Sequence, residues 1–183
     1  MSTSGTVDRS ILKVRDKSDD FYIEKPDGVP SLPVRMILIG KSQYSGKTNL
    51  LVNMLCRTEF YDGDWEGENI FIISNNALDQ KLKIIKDRFD VPDSHCISFS
   101  EAGVQAAFDG VEERALGAIN EGMKPEHSLF IIDDCGYDGS LKGGADTGVL
   151  SRCWANGRHC CLSLMVTSQK LSMLSTTARS NAT

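Results

Sequence analysis

A glycine-containing stretch between an apolar run and a helical pattern is the feature that most restricts what this chain can fold into. Residues 34–39 are a short apolar run, and apolar side chains at helical spacing occur over residues 49–55. The first pattern is typical of a buried parallel strand, and the second indicates a helix. The sequence therefore predicts a strand–loop–helix unit, whose loop reads Gly40-Lys41-Ser42-Gln43-Tyr44-Ser45-Gly46-Lys47-Thr48.

The loop has the residue types of a phosphate-binding loop, or P-loop. In such a loop, inward-pointing backbone N–H groups and the N-terminus of the following helix bind phosphate oxygens. Gly46 would let the backbone approach closely, Lys47 would neutralise the β- and γ-phosphates, and the Thr48 hydroxyl would ligate Mg²⁺. We therefore expect ATP and Mg²⁺ as cofactors, with the nucleotide bound by Gly40, Ser42, Ser45, Gly46, Lys47 and Thr48.

The spacing of the loop departs from the usual P-loop pattern. Four residues ordinarily separate the first glycine from Gly-Lys-Thr, whereas five residues separate Gly40 from Gly46. Lys41 occupies the position where the first glycine is usual. Either the loop contains one additional residue or Lys41 replaces the glycine.

Two adjacent carboxylates follow another apolar run. The run, residues 129–132, is a predicted buried strand, and Asp133 and Asp134 come directly after it. Two carboxylates so close together repel each other, which calls for a cation or bound water. We expect Asp133 to hold Mg²⁺ together with Thr48, and Asp134 to polarise the attacking water.

A third predicted strand also ends in a polar residue. This strand, residues 162–167, leads to Gln169, whose amide would contact the γ-phosphate or the attacking water. Phosphoryl transfer also needs positive charge on the γ-phosphate in the transition state, often from a neighbouring subunit. Arg158 precedes the strand and Arg179 follows it, so both are candidates for this arginine.

Strands alternate with helices along most of the chain. Further strands are predicted at residues 70–74 and 96–99, and helices near residues 78–89, 102–120 and 150–157, with Gly110 a point of possible interruption. Such alternation predicts an α/β fold, in which a mainly parallel sheet is flanked by helices. Ligands bind such sheets at the carboxyl ends of the strands, where all three motifs lie.

Size and composition suit one domain. The chain has 183 residues, of which 40% are hydrophobic and 25% charged. We divide it into a polar leader, residues 1–33, and an ATPase domain, residues 34–183. Six scattered cysteines and the lack of a long apolar run favour an intracellular protein without a membrane span. The net charge of −5 does not favour general nucleic-acid binding, but it is compatible with contact between DNA and one local basic loop.

The order of these motifs resembles a known family. The part that separates this family from other P-loop proteins is Gly157-Arg158-His159 followed by Val-Thr-Ser-Gln, the last ending at Gln169. Over about residues 33–183 the chain resembles the poxvirus-type genome-packaging ATPases of large double-stranded DNA viruses, a branch of the FtsK–HerA superfamily. The resemblance implies a RecA-like core, a homo-oligomeric ring, and ATP-driven translocation of double-stranded DNA into a capsid.

The resemblance also implies partners and roles. The partner would be a capsid or portal protein. The location would be the host cytoplasm or a virus factory, with association with the virion. By position, the catalytic residues would be Lys47, Asp134, Gln169 and Arg179, and the metal residues Thr48 and Asp133. Lys142, within the Gly-rich residues 136–148, is the candidate for a DNA-contacting pore loop.

Two other readings stay open. A P-loop kinase of a small molecule usually carries an Arg-rich lid, and residues 136–148 contain only Lys142 as a basic residue. A non-catalytic nucleotide-binding adaptor would bind ATP without turning it over.

Overall fold

The strands of the chain form one parallel sheet. The computed structural model describes residues 20–41, 45–76, 79–134, 148–170, 174 and 176–182, so Ser42 and Lys142 lie outside the described residues. The spatial order of the strands is β1-β5-β4-β2-β3, and every neighbouring pair is parallel. The strands are β1 (Arg35–Ile39), β2 (Ile70–Ser74), β3 (Cys96–Ile97), β4 (Ser128–Asp133) and β5 (Leu162–Ser168).

Helices cover both faces of the sheet. One face packs against α1 (Lys47–Cys56) and α2 (Gln80–Phe89). The other packs against α3 (Glu101–Asn120), α4 (Val149–Asn156) and α5 (Thr176–Asn181). Alternate residues of each strand enter the two cores, as Ile72 and Ile73 do in β2. A strand buried on both faces needs apolar residues throughout, which is why the central runs contain so few polar residues.

The predicted elements are found with three differences, the first being that the strand predicted over residues 96–99 ends at Ile97. The strand at residues 70–74 has the predicted bounds, but α3 continues through Gly110, so the suggested interruption is wrong. A Cβ added at Gly110 would meet nothing within 4 Å, and the helix is anchored at its start by Ser100, whose Oγ accepts the Gly103 N–H at 3.1 Å. Helix α5, which carries Arg179, is not among the predicted elements.

Residues 20–33 pack on the face that holds α1 and α2. Ile23 and Leu32 form an antiparallel bridge, and the Leu32 side chain is fully buried. The Tyr61 hydroxyl donates to the Pro30 carbonyl at 2.9 Å, and Lys25 forms an ion pair with Asp64. These contacts join this part of the chain to the same core as the phosphate loop's helix.

The strand order determines which strand ends meet. Because β5 lies between β1 and β4, the end that leads to Gln169 separates the phosphate loop from the two acids. The three motifs, far apart in sequence, therefore come to one edge of the sheet. Within the described part of the chain, no helix has the length and apolarity needed to cross a membrane.

Candidate nucleotide site

The phosphate loop leads directly into α1. Gly46 precedes the helix with φ of 74°, a left-handed conformation that glycine adopts without strain. Having no side chain, Gly46 cannot cap the helix with a side-chain acceptor. An anion at this end of a helix satisfies the first N–H groups of the helix and the helix dipole together.

Gly40 is the residue where the loop closes on itself. A Cβ added at Gly40 would lie 2.7 Å from the Cβ of Ser45, closer than real side chains approach. Its N–H donates to the Ser168 carbonyl at 3.1 Å, which extends the β1–β5 ladder beyond the strands. These contacts favour Gly40 as the first glycine of the loop, which then contains one additional residue. Residues 42–44, with Ser42 among them, lie outside the described residues.

The Lys47 ammonium lies against the loop's own backbone. Its Nζ donates to the carbonyl oxygens of Gly40 at 3.0 Å and Lys41 at 3.2 Å, and it lies 3.5 Å from Ser45 Oγ. The lysine is thus held inside the loop by acceptors that phosphate oxygens would replace.

Asp133 lies at the buried end of β4. Only 5% of the residue is exposed, and all six residues of the strand are buried. Thr48 Oγ1 is 3.4 Å from Asp133 Oδ1, so the two residues expected to hold Mg²⁺ meet. Burial raises the pKa of the Asp133 carboxyl, while a hydrogen bond from Thr167 acts in the opposite direction.

Thr167 orients both acids and was missed by the sequence reasoning. Its hydroxyl donates to Asp133 Oδ1 at 2.7 Å and accepts the Asp134 N–H at 3.0 Å. The residue is only 1% exposed. Threonine is frequent in strands, so its presence there does not by itself indicate a functional role. The one sequence feature that could have indicated its role was its position shortly before Gln169.

Asp134 and Gln169 form the second half of the acid site. Asp134 has φ of 49°, a conformation that aspartate adopts more readily than most residues. Gln169 Nε2 donates to both carboxylate oxygens of Asp134, at 3.1 and 3.3 Å. The two residues predicted to act on the attacking water are therefore in direct contact.

The two candidate arginines are both exposed. Arg158 is exposed in a short 3₁₀ helix, Gly157–Cys160, that precedes β5, and its Nε contacts His159 at 3.3 Å. It lies at the amino end of the sheet, opposite to the phosphate loop. Arg179 is exposed on α5 and donates to Thr176 Oγ1 at 3.3 Å. Its role as the arginine that completes the site stays a prediction.

The donors at this edge fit Mg²⁺. Within the described ranges, no group of three or more His, Cys, Asp or Glu side chains is arranged to hold a metal by itself. Mg²⁺ does not need such a group, since it is usually bound by one or two side chains together with substrate phosphates and water. The Thr48 hydroxyl and the Asp133 carboxylate are oxygen ligands of this kind.

Comparison with known proteins gives structural similarity without sequence similarity. No family model and no curated protein matches the chain. Among solved structures, EssC (ATPases 2 and 3) from Geobacillus thermodenitrificans matches with a TM-score of 0.54 and 11% identity, over 81% of this chain and 30% of that chain. The chain therefore spans less than a third of the EssC structure.

Two further structures match with lower scores. The genome packaging NTPase B204 from Sulfolobus turreted icosahedral virus 2, in complex with AMPPCP, has a TM-score of 0.48 and 16% identity over 82% of this chain and 71% of that chain. The N-terminal domain of zonular occludens toxin from Neisseria meningitidis has a TM-score of 0.45 and 13% identity over 81% and 73% of the two chains.

At these identities the similarity shows the fold alone. The chain has the α/β fold of P-loop NTPases, a mainly parallel sheet flanked by helices.

Proposed function

We propose that this chain binds ATP with Mg²⁺ at the phosphate loop and hydrolyses it. One observation carries the proposal: Thr48 and Asp133, 85 residues apart in sequence, bring their side-chain oxygens to 3.4 Å. Thr48 begins the helix that would bind the phosphates, and Asp133 ends the strand that would hold the metal. Their contact supports the proposal that the two side chains hold Mg²⁺ beside the β- and γ-phosphates.

Lys47 and Thr48 would bind the triphosphate. In the nucleotide-bound protein, Lys47 exchanges the carbonyl oxygens of Gly40 and Lys41 for oxygens of the β- and γ-phosphates. Thr48 and Asp133 would hold Mg²⁺, which when bound neutralises charge on the phosphates. The lysine ammonium already contacts the backbone of the loop, so the exchange replaces one set of oxygen acceptors with another.

Asp134 and Gln169 would act on the attacking water. Asp134 accepts a proton from the water, and Gln169 orients the Asp134 carboxylate by donating to both of its oxygens. Most of the rate would come from positioning and charge stabilisation, with no covalent intermediate on the protein.

The proposed use of this energy is translocation of double-stranded DNA into a viral capsid by a ring of identical subunits. The proposal rests on the motif order, above all Gly157-Arg158-His159 before the strand that leads to Gln169. In a ring, an arginine of one subunit completes the site of the next, and Arg179 and Arg158 are the candidates. Both are exposed, as such an arginine must be. We propose a capsid or portal protein as the partner of this ring. The proposed location is the host cytoplasm or a virus factory.

An ATPase assay with and without double-stranded DNA tests both parts. We expect phosphate release by the wild-type chain, faster with DNA, and at least about a hundredfold loss in Asp133→Ala. Asp109→Ala is the matched control, because Asp109 is an exposed carboxylate of α3, on the other face of the sheet, whose Oδ1 accepts from Gln105. Wild-type turnover in Asp133→Ala would contradict the hydrolysis mechanism.

The same assay separates the alternatives. Hydrolysis that DNA does not change, in a chain that stays monomeric with ATP by mass photometry, would contradict the translocation proposal alone. Tight binding of ATP without phosphate release would identify a non-catalytic adaptor, and transfer of phosphate to a nucleoside or metabolite would identify a kinase.

A further inference from the structure

A cavity of about 320 Å³ lies beside the proposed metal site, at the carboxyl ends of β2 and β3. Its wall on the side of the nucleotide site is Ser74, which pairs in register with Asp133 across β2 and β4. Neighbouring strands are about 5 Å apart, so the cavity begins one strand away from the metal-binding carboxylate.

The cavity opens on the same face of the sheet as the nucleotide site. Ile72 and Ile131 both enter the core under α1 and α2, and side chains two positions further along a strand share that face. Ser74 and Asp133 are those residues, so both side chains point toward the face that carries Thr48. Ser74 is 6% exposed, and its Oγ accepts the Asn76 N–H at 3.1 Å.

Two lysines of α2 line the cavity. Lys83 pairs with Asp87 at 2.7 Å and Lys86 with Asp93 at 2.8 Å. An ammonium group has three donors, and Lys83 uses two of them on the two carboxylate oxygens of Asp87, so each lysine has at least one further donor for another acceptor. The partner carboxylates are 56% and 96% exposed, so both ion pairs lie in water, where they are weak and easily exchanged.

The lining suits a small hydrated oxyanion. Hydroxyl and amide groups of Ser74, Ser98 and Asn76 supply neutral hydrogen-bonding partners beside the two lysines. The lining also contains the Asp93 carboxylate, which pairs with Lys86, and apolar side chains such as that of Leu82. Since a water molecule takes about 30 Å³, the cavity has room for a tetrahedral anion and several waters. Hydrolysis of ATP produces such an anion one strand away.

We infer that this cavity, lined by Ser74, Asn76, Ser98, Lys83 and Lys86, accepts the orthophosphate released from ATP before it leaves the protein. The inference rests on the proposed hydrolysis. In that reaction the water oxygen bonds to the γ-phosphorus, and the bond to the β–γ bridging oxygen breaks with its electron pair leaving on ADP. One water proton passes through Asp134 to solvent. The remaining orthophosphate moves past Asp133 and Ser74 to the lysines.

Phosphate binding to the full chain tests this inference. The phosphate loop is first filled with Mg²⁺ and a non-hydrolysable ATP analogue, and orthophosphate is then titrated by phosphorus NMR. We expect a dissociation constant about tenfold higher in Lys83→Gln and in Lys86→Gln, the change expected on losing one charge-assisted hydrogen bond. Lys81→Gln, an exposed lysine of the same helix that does not line the cavity, is the matched control and should bind phosphate like the wild type.

The outcomes separate this inference from the proposed function. Equal phosphate affinity in all three variants and the wild type, or no binding at all, would overturn the inference even if ATP is hydrolysed. If the analogue does not bind, the proposed function fails, and the same comparison is made in a Lys47→Ala background, where the phosphate loop no longer competes for the anion. Tighter binding of adenosine monophosphate than of orthophosphate would overturn the assignment to the reaction product, because it would identify a site for a phosphomonoester.

Discussion

The two halves of the candidate site differ in how far they are arranged before nucleotide arrives. At the ends of β4 and β5, Asp133 and Asp134 are oriented by Thr167 and Gln169 through hydrogen bonds between side chains and backbone. In the phosphate loop, Lys47 is bonded to the loop's own carbonyl groups. The acid half is fixed by the sheet, whereas the loop half must exchange internal hydrogen bonds for bonds to phosphate.

This difference shows where nucleotide binding is expected to act. Residues of the neighbouring strand β5 orient Asp133 and Asp134, so the positions of the two carboxylates are set when the chain folds. No further reorganisation of these groups is then needed during the reaction. In the proposed mechanism, Lys47 exchanges carbonyl oxygens for phosphate oxygens, and the affinity for nucleotide would therefore depend on the difference between these two kinds of acceptor. Phosphate is preferred because it carries charge and a bond to an ionised partner is stronger.

Removing the lysine should break the loop half completely. In Lys47→Ala no side-chain cation remains for the β- and γ-phosphates, and we expect phosphate release to fall about 10² to 10³-fold. Lys81→Ala, which removes an exposed lysine of α2, should leave the rate unchanged. A Lys47→Ala chain with undiminished turnover would mean that the loop does not act on the phosphates.

Asp133→Asn should separate stability from activity in the acid half. Turnover should fall about a hundredfold because Mg²⁺ loses its charged ligand, while the nucleotide-free protein should melt at a higher temperature near pH 7. Burial raises the pKa of Asp133, so the ionised form is penalised in the folded state. The wild-type chain therefore loses stability from this group as pH rises from the unfolded value, about 3.9, through the raised pKa.

Thermal melting without Mg²⁺ or nucleotide at two pH values checks the sign. The melting temperature of Asp133→Asn should exceed that of the wild type at pH 7, and the difference should shrink as the pH falls through the raised pKa of Asp133, because the wild-type carboxyl then becomes protonated. A wild-type chain that is more stable than the variant at pH 7 would show that the Thr167 hydrogen bond outweighs burial.

Thr167→Val should loosen the acid half without removing an acid. Valine has a similar shape but no hydroxyl, so Asp133 loses a donor and the Asp134 N–H loses its acceptor. We expect a loss of about 1–3 kcal/mol in the free energy of unfolding and about a tenfold slower turnover. Thr167→Ser keeps the hydroxyl and should recover most of the activity, an outcome that a purely packing role would not produce.

Gly40→Ala is the mildest change and acts on the loop half. The added Cβ would lie 2.7 Å from that of Ser45, so the loop must open slightly, and we expect nucleotide affinity to fall a few-fold in an equilibrium titration. Gly117→Ala, where an added Cβ meets nothing within 4 Å in α3, should leave affinity unchanged and stabilise the helix by roughly 0.5–1 kcal/mol. Equal affinity in the two variants would show that Gly40 is not needed for the loop's shape.

Much of the fold could be predicted from the sequence, because short apolar runs alternate regularly with segments that have helical apolar spacing. The apolar run at residues 70–74 predicted a strand with the correct bounds. The contact between Thr48 and Asp133 could be expected because both motifs lie at the carboxyl ends of strands in one parallel sheet. Sequence cannot give the register between strands, and Thr167 acts through register: it faces Asp133 only because β5 neighbours β4 at that alignment. Ser74 was missed for the same reason, since its significance comes from pairing with Asp133.

Helix interruptions and short terminal helices were harder to predict. Glycine lowers helix propensity, but tertiary packing of α3 through Val104, Phe108 and Val111 outweighs the single Gly110. Helix α5 is too short to show a clear apolar period, and its packing depends on Ala178 and on contacts with α4.

The hydrogen bond from Gly40 to Ser168 has a mechanical consequence. It continues the ladder between β1 and β5 past the end of β1, and it joins the start of the phosphate loop to the residue before Gln169. If nucleotide binding displaces Gly40, we expect the displacement to reach Gln169 through this backbone hydrogen bond.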